Sequence, residues 1–428
     1  MLNRLDLRGV GGDLAAHLPR PVVAGDEPIA AVREIIAEVR SGGDDALCSL
    51  TERFDGVENP VIVVPAAELT AALARIPADV REALEVAAKR VTAFHETQLG
   101  APTTFVSGGT VRSYAKPVAR AGCYVPGGRA AYPSTVLMTV LPARVAGVGE
   151  IVVCVPPDRS TGRIADVTLA ACAIAGVDEV YAVGGAQAIA ALAYGTESIR
   201  PVDVICGPGN RYVAIAKREV SSVVGIASAF AGPSEVVVVA DETAPVDFAA
   251  IDVIVQAEHG PDGLAWLICW SDTVADEVSA AVARLTAAAP RRAEIESTLA
   301  TAGYAVVCDG PEQAMAVANL IAPEHLELMV RDPEALVAQV ENAGAIFCGP
   351  WSPASLGDYL AGPSHVLPTD GTARFSSALT VDDFLRHHHV VTFDQSSMAA
   401  LAPHLEALAT AEGLDAHALS ARLRREAP

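Results

Sequence analysis

The sequence predicts an α/β protein of two main domains, preceded by a helical lead-in and followed by a tail. Three observations carry this. At 428 residues the chain is too long for one ordinary core and short for three. From Glu150 to Val224 apolar strand-like runs alternate with amphipathic helical runs. A second alternation begins at Gly232. Such alternation builds parallel sheets covered by helices, with ligands at the carboxyl ends of the strands and at helix N-termini.

The first two dozen residues are irregular, contain Pro19 and Pro21, and are expected to form an arm. Pro28 to Phe54 holds two amphipathic helices separated by Gly42-Gly43, and a further helical stretch runs from about Glu68 to Gln98. Thr110 to Val118 is strand-like. The glycine-rich turn AGCYVPGGRAAYPSTVLM follows, in which Tyr124 either offers a ring to a planar ligand or serves a structural hairpin. Next come strand EIVVCVPP, helix ADVTLAACAIAG closed by Gly176, strand DEVYAVGG, helix AQAIAALAYG, strand VDVICGPGN and helix RYVAIAKREVSSVV. Two strand ends carry glycine turns, one with Gly184, Gly185 and Gln187, the other with Gly207, Pro208, Gly209 and Asn210. Neither spells GxGxxG, so alone they fix no dinucleotide site.

The second set comprises strand GPSEVVVVAD, helix DFAAIDVIVQAEHG, strand LAWLICW, helix DTVADEVSAAVARL, strand YAVVCDG, a helix near Pro333 to Val340 and strand AGAIFCG. The tail from about Leu379 has a strand-like run, HVVTF, and then helices bearing Glu412 and His417. Lying outside both halves, it is free to pack on a second subunit.

Hydrophobic residues make up 51% and charged residues 19%, the composition of a well-packed globular protein. No apolar run reaches membrane-spanning length, and the N-terminal MLNRLDLRG lacks the apolar core of a signal peptide, so a cytoplasmic protein is expected. A net charge of −22 argues against nucleic acid and anionic membranes as partners. Eight cysteines without CxxC spacing are expected to be buried thiols, neither disulfides nor a thiolate metal site.

The chemistry centres on ANLIAPEHLEL, Ala318 to Leu328, where Glu324 adjoins His325. Pro323 fixes its own φ and biases Ala322 away from the helical region. A helix therefore ends, the chain turns, and a short new element starts with an acid/base pair. An imidazole abstracts protons near neutral pH and a neighbouring carboxylate activates water; the alternative is a surface pair on a turn. Gln256 and His259, three apart near a helix end, share one face, with His259 a metal ligand or a satisfied cap. Asp358 and His365 lie in a long Gly- and Pro-rich loop. Asp358, His365, His259 and His417 are compatible with a mixed N/O divalent-metal site, which spacing cannot demonstrate. His387, His388 and His389 alternate across a strand and cannot converge.

Taken together in order, YVPGG, VGGAQAIAALAYGT, GPGNRYVAIAK, AGPSEVVVVAD, QAEH, NLIAPEHLEL, NAGAIF, GDYLAGPSHVLPT and EGLDAH resemble the histidinol dehydrogenase family across essentially the whole chain. The resemblance implies an oxidoreductase that uses Zn2+ and two NAD to oxidise L-histidinol, through L-histidinaldehyde, to L-histidine. It implies two incomplete Rossmann-like domains, one inserted in the other: residues 23–122 with 234–378 bearing the metal and substrate site, and 123–233 on the NAD side. Residues 1–22 would be the arm and 379–428 a helical tail exchanged across a homodimer. By position, Gln256, His259, Asp358 and His417 match the metal ligands, and Glu324 and His325 the catalytic pair. Ser234, His365 and Glu412 match substrate contacts, shared with Gln256, His259, His325, Asp358 and His417. Tyr124, Gln187 and Asn210 match the NAD site, and the partner subunit would donate Glu412 and His417. Gly260, Ala354 and Ser364 depart from the family's usual Asp, Glu and Asn. Two alternatives are a related zinc/NAD dehydrogenase of another small polar alcohol, such as a sulfonated diol, and a metal hydrolase.

Overall fold

A computed structural model describes every residue except 20–27, 128–129, 178, 228–233, 259–262 and 428. In chain order the elements begin with β1 (Asn3–Asp6), α1 (Ile29–Asp55), β2 (Val63–Val64), α2 (Ala66–Arg75), α3 (Ala78–Glu96), β3 (Thr103–Val106) and β4 (Thr110–Pro117). There follow β5 (Arg120–Tyr124), α4 (Pro133–Ala146), β6 (Glu150–Cys154), α5 (Asp166–Ile174), β7 (Glu179–Tyr181), α6 (Gly185–Tyr194), β8 (Val204–Cys206), α7 (Arg211–Val220) and β9 (Gly225–Ile226). Next are β10 (Glu235–Ala240), α8 (Val246–Ala257), β11 (Leu264–Cys269), α9 (Asp272–Ala288), α10 (Arg292–Ala302), β12 (Gly303–Val307), α11 (Pro311–Ile321) and β13 (His325–Met329). The chain closes with α12 (Pro333–Val337), β14 (Ala345–Cys348), α13 (Ala354–Tyr359), β15 (Leu385–Thr392), α14 (Gln395–Ala411) and α15 (Asp415–Arg425).

Packing divides the chain into two units, Met1–Thr97 with Ala119–Phe384, and Gln98–Val118 with Leu385–Pro428. The first unit holds two six-stranded sheets. One, in the order β1-β12-β11-β10-β13-β14, is wholly parallel. Its central β10 reads as a continuous apolar run because both its faces are covered. Val236 and Val238 pack with α8 and α9, Val237 and Val239 with α11, and all four are fully buried. Each such side chain contributes about 2 kcal/mol of apolar burial.

The other sheet runs β2-β7-β6-β5-β8-β9, with only β2 antiparallel. Its carboxyl ends are tightly closed. At Gly207, φ is +104°, and an added Cβ would lie 2.0 Å from the Tyr124 carbonyl oxygen, so only glycine fits.

Three expectations are corrected. The arm is not wholly irregular, since β1 pairs with β12 and extends the first sheet. Residues 23–122 do not accompany residues 234–378: α1 packs on α6 and α7, α2 on α5 and α3 on α4, while β5 lies inside the second sheet. The stretch after Val125 is not only a turn, because Pro133 starts α4 at a position where its missing N–H costs nothing.

The second unit is a three-stranded antiparallel sheet, β15-β4-β3, with the α14–α15 hairpin. His387, His388 and His389 are exposed on β15, and His388 stacks on Tyr114. All eight cysteines are unpaired thiols, six of them buried. Among the described residues no helix is long and apolar enough to cross a membrane.

Candidate active site

Helix α11 ends where Ala322 turns left-handed, with φ 53° and ψ 58°, and its N–H still bonds to the Ala318 carbonyl. Pro323 bars the helical region for Ala322, but the chain escapes into the left-handed region and not into extended backbone. For a residue with a Cβ that conformation costs about 1 kcal/mol. The reversal delivers Glu324 and His325 to the start of β13, between β10 and β14. The carbonyl of Glu324 accepts the Ala345 N–H, and a Cβ on Gly344 would lie 2.6 Å from that oxygen. A side chain at Gly344 would therefore displace the acid/base pair.

Both residues are inside the protein, Glu324 at 8% exposure and His325 at 3%. The surface-pair alternative is thereby removed. His325 Nδ1 lies 3.1 Å from the Glu235 carbonyl. A carbonyl only accepts, so Nδ1 carries a proton and Nε2 is the basic nitrogen. Nε2 has no hydrogen-bond partner among the described residues and lies 3.5 Å from Asp358 Oδ1. Nδ1 is also 3.6 Å from Glu324 Oε2 and 3.4 Å from Gln256 Nε2. The ring stacks against Phe347 at 5.9 Å between centroids. Burial lowers the affinity of His325 for a proton, but the Glu324 and Asp358 carboxylates outweigh it and lift the imidazole to about 9. Burial raises the Glu324 carboxyl to about 7 against the opposing pull of His325.

The backbone of Glu235 serves the pair twice, since its N–H donates to Glu324 Oε2 at 3.0 Å. Its own carboxyl, 2% exposed, is pushed by burial to about 8, with the charges of Glu324 and Asp370 adding to the shift. A raised carboxyl favours the folded state below its unfolded value, and that contribution is lost as pH climbs through about 8. Glu235→Gln should therefore flatten the fall in stability between pH 5 and 8 by up to about 5 kcal/mol. Urea unfolding of the metal-free proteins across that range measures this; parallel curves would refute it.

Gln256, at the end of α8, is 1% exposed, and its Oε1 has no hydrogen-bond partner among the described residues. A buried amide oxygen without a donor costs about 1–3 kcal/mol unless something electropositive meets it. With the Asp358 carboxylate nearby, this set suits a borderline divalent cation bound by oxygen and imidazole. Among the described residues no three His, Cys, Asp or Glu side chains form a ready-made cage. His259 and the Gly260 departure lie outside the described residues.

On the loop after α13, His365 Nδ1 donates to the Asp358 carbonyl at 2.9 Å, leaving Nε2 to accept from the Thr135 hydroxyl at 3.2 Å. Ser364 Oγ donates to the Met138 carbonyl at 2.9 Å, so this departure still ties the loop to α4. Ser234 precedes β10, where its carbonyl accepts the Leu264 N–H.

Tyr124, Gln187 and Asn210 all stand at the carboxyl edge of the second sheet. Tyr124 ends β5 with its ring in the core and its hydroxyl accepting the Gly185 N–H at 3.1 Å. Gln187 is buried in the first turn of α6. Asn210 caps α7 by accepting the N–H groups of Tyr212 and Val213.

Glu412 and His417 belong to the second unit, Glu412 just after α14 and His417 in the first turn of α15. Both are exposed and line a groove of about 680 Å³ with Leu401, Leu405, Leu408 and Leu414.

The residues that spacing missed are Glu235, Glu327, Asp252 and Thr135. A charge inside the apolar runs SEVVVV, LEL and AIDVIV was the available signal for the first three, and Pro133 at a helix start for the fourth.

The family model for histidinol dehydrogenase matches residues 18–425. A histidinol dehydrogenase from Thermobifida fusca is 48% identical over 100% of this chain and 98% of its own length. One from Parasynechococcus marenigrum is 48% identical over 91% of this chain and 89% of its own. The crystal structure of histidinol dehydrogenase from Elizabethkingia anophelis superposes with a TM-score of 0.93 at 33% identity, covering 99% of this chain and 98% of that one. The chain belongs to the histidinol dehydrogenase family.

Proposed function

We propose that the protein oxidises L-histidinol to L-histidine through L-histidinaldehyde, completing histidine biosynthesis with two NAD+ and a zinc ion. The observation that carries the mechanism is the buried Glu324–His325 pair, with His325 Nε2 basic, 3.5 Å from Asp358 Oδ1 and without a hydrogen-bond partner among the described residues. Gln256, Asp358, His259 and His417 would hold zinc, and Gln256 Oε1, which meets no donor among the described residues, supports this. When bound, zinc supplies an electrophilic anchor for a nitrogen-bearing substrate, and NAD+ supplies the hydride acceptor.

His325 Nε2 takes the hydroxyl proton as the carbinol C–H leaves as hydride, giving the aldehyde. Glu324 then takes a proton from water as it adds to the aldehyde carbon, and His325 returns its proton to the former carbonyl oxygen, giving the hydrate and a free base. His325 accepts the hydrate's hydroxyl proton as the second hydride departs, giving the carboxylate. Ser234, His365 and Glu412 would bind the substrate's polar groups. Tyr124, Gln187 and Asn210 would set the NAD site from the sheet edge, where helix N-termini favour a pyrophosphate. A homodimer would bring Glu412 and His417 to the partner's site. The exposed leucines of α14 and α15, with Leu408 at 68%, support an interface there. The reaction's cytoplasmic setting follows the same reading.

Adding L-histidinol should yield two NADH per substrate, lost on chelation and restored by zinc, as followed by absorbance and metal analysis. A folded, zinc-loaded protein that forms no NADH from histidinol but oxidises another small alcohol would overturn the assignment in favour of a related dehydrogenase.

A further inference from the structure

Three elements bring Gln256, His325 and Asp358 together, and one buried carboxyl pair touches all three elements. Asp252 stands on α8 one helical turn before Gln256 and is 5% exposed. Glu327 stands on β13 two residues after His325, hence on the same strand face, and is 1% exposed. The two carboxyls face each other closely enough that, on top of burial, Asp252 pushes the Glu327 acid upward. Glu327 Oε1 also accepts the Ala354 N–H at 2.7 Å, one turn before Asp358 on α13. Its Oε2 meets no N–H or O–H donor among the described residues, as suits an acid whose partner there is another carboxyl.

Neither group takes part in the proposed reaction. Two carboxyls in contact away from water cannot both be ionised. Burial raises both, and proximity to Asp252 raises Glu327 further, so Glu327 keeps the shared proton and donates it. An apolar pair would pack there without that desolvation cost, but it would offer no directional bond between the elements.

We propose that Asp252 and Glu327 are positioning residues that fix α8 and α13 about β13 and so hold Gln256 and Asp358 at the spacing a metal ion requires. The inference rests on the zinc reading above. Outer partners of this kind commonly govern metal affinity by 10–100-fold.

The test loads the parent, Glu327→Ala, Glu327→Gln and Asp252→Ala proteins with zinc and follows release to a chromogenic chelator. Unfolding of the zinc-free forms is measured in parallel. Glutamine can accept from Ala354 N–H through Oε1 and donate to Asp252 through Nε2, so Glu327→Gln should retain zinc within about twofold of the parent. Glu327→Ala and Asp252→Ala should release it at least about tenfold faster, with kcat recovered in excess zinc. Asp252→Ala supplies the reading if Glu327→Ala does not fold. Parent-like retention in the alanine variants, or release from Glu327→Gln as fast as from Glu327→Ala, would overturn the positioning role alone. A parent protein that takes up no zinc would overturn the cofactor reading and this inference with it.

Discussion

Replacing His325 with asparagine is expected to lower kcat for histidinol oxidation by about 10²–10⁴-fold while zinc stays bound at parental stoichiometry. The asparagine amide can still donate to the Glu235 carbonyl that now holds Nδ1. It offers no basic nitrogen where Nε2 lies. The backbone of β13 remains paired with β10 and β14, so the position of Glu324 is kept. The lost ring contact with Phe347 costs some stability, and the lost approach of Nε2 to Asp358 Oδ1 at 3.5 Å leaves that carboxylate in place on α13. KM should move little, because the lost interaction belongs to proton transfer. NADH absorbance at saturating substrates gives kcat, and atomic absorption gives the metal. A parent-like kcat would remove His325 from the role of base.

The pair itself was legible in the sequence because everything needed is local. Helix α11 has to stop before Pro323, and the apolar run after it makes a strand. The alternation of strands and helices was legible for the same reason. Pairings between distant segments were not. That Asn3 lies beside Tyr304, or that α3 packs on α4, depends on contacts no local pattern encodes. Helix α4 was hidden by its glycine-rich approach and by Pro133, a residue that starts helices as readily as it ends them. The convergence of Glu235, Gln256, His325 and Asp358 draws on four separate elements or their flanks. Spacing left Gln256 and Asp358 as isolated candidates, and only the family resemblance united them. Burial sets Glu324 and His325 apart from a common surface dipeptide, and burial is a property of the folded chain.

Glu324→Gln should separate the two oxidations. The substitution keeps an oxygen to accept the Glu235 N–H, so the residue should hold its place. It removes the carboxylate that burial has raised to about 7, close to the pH at which a base that takes a proton from water works best. On the proposed mechanism the first oxidation needs only the His325 base, whereas the second needs a water to be deprotonated as it adds to the aldehyde. The first NADH should therefore form within a few-fold of the parental rate, and the second should slow by about 10²-fold. Histidinaldehyde supplied directly isolates the second half-reaction, and a single-turnover burst from histidinol isolates the first. Equal loss in both would place Glu324 with the alcohol step, as a charge tuning His325 at 3.6 Å, and would leave the water to another base. Selective loss would assign the two halves of the reaction to adjacent residues, one at the turn after α11 and one at the first position of β13.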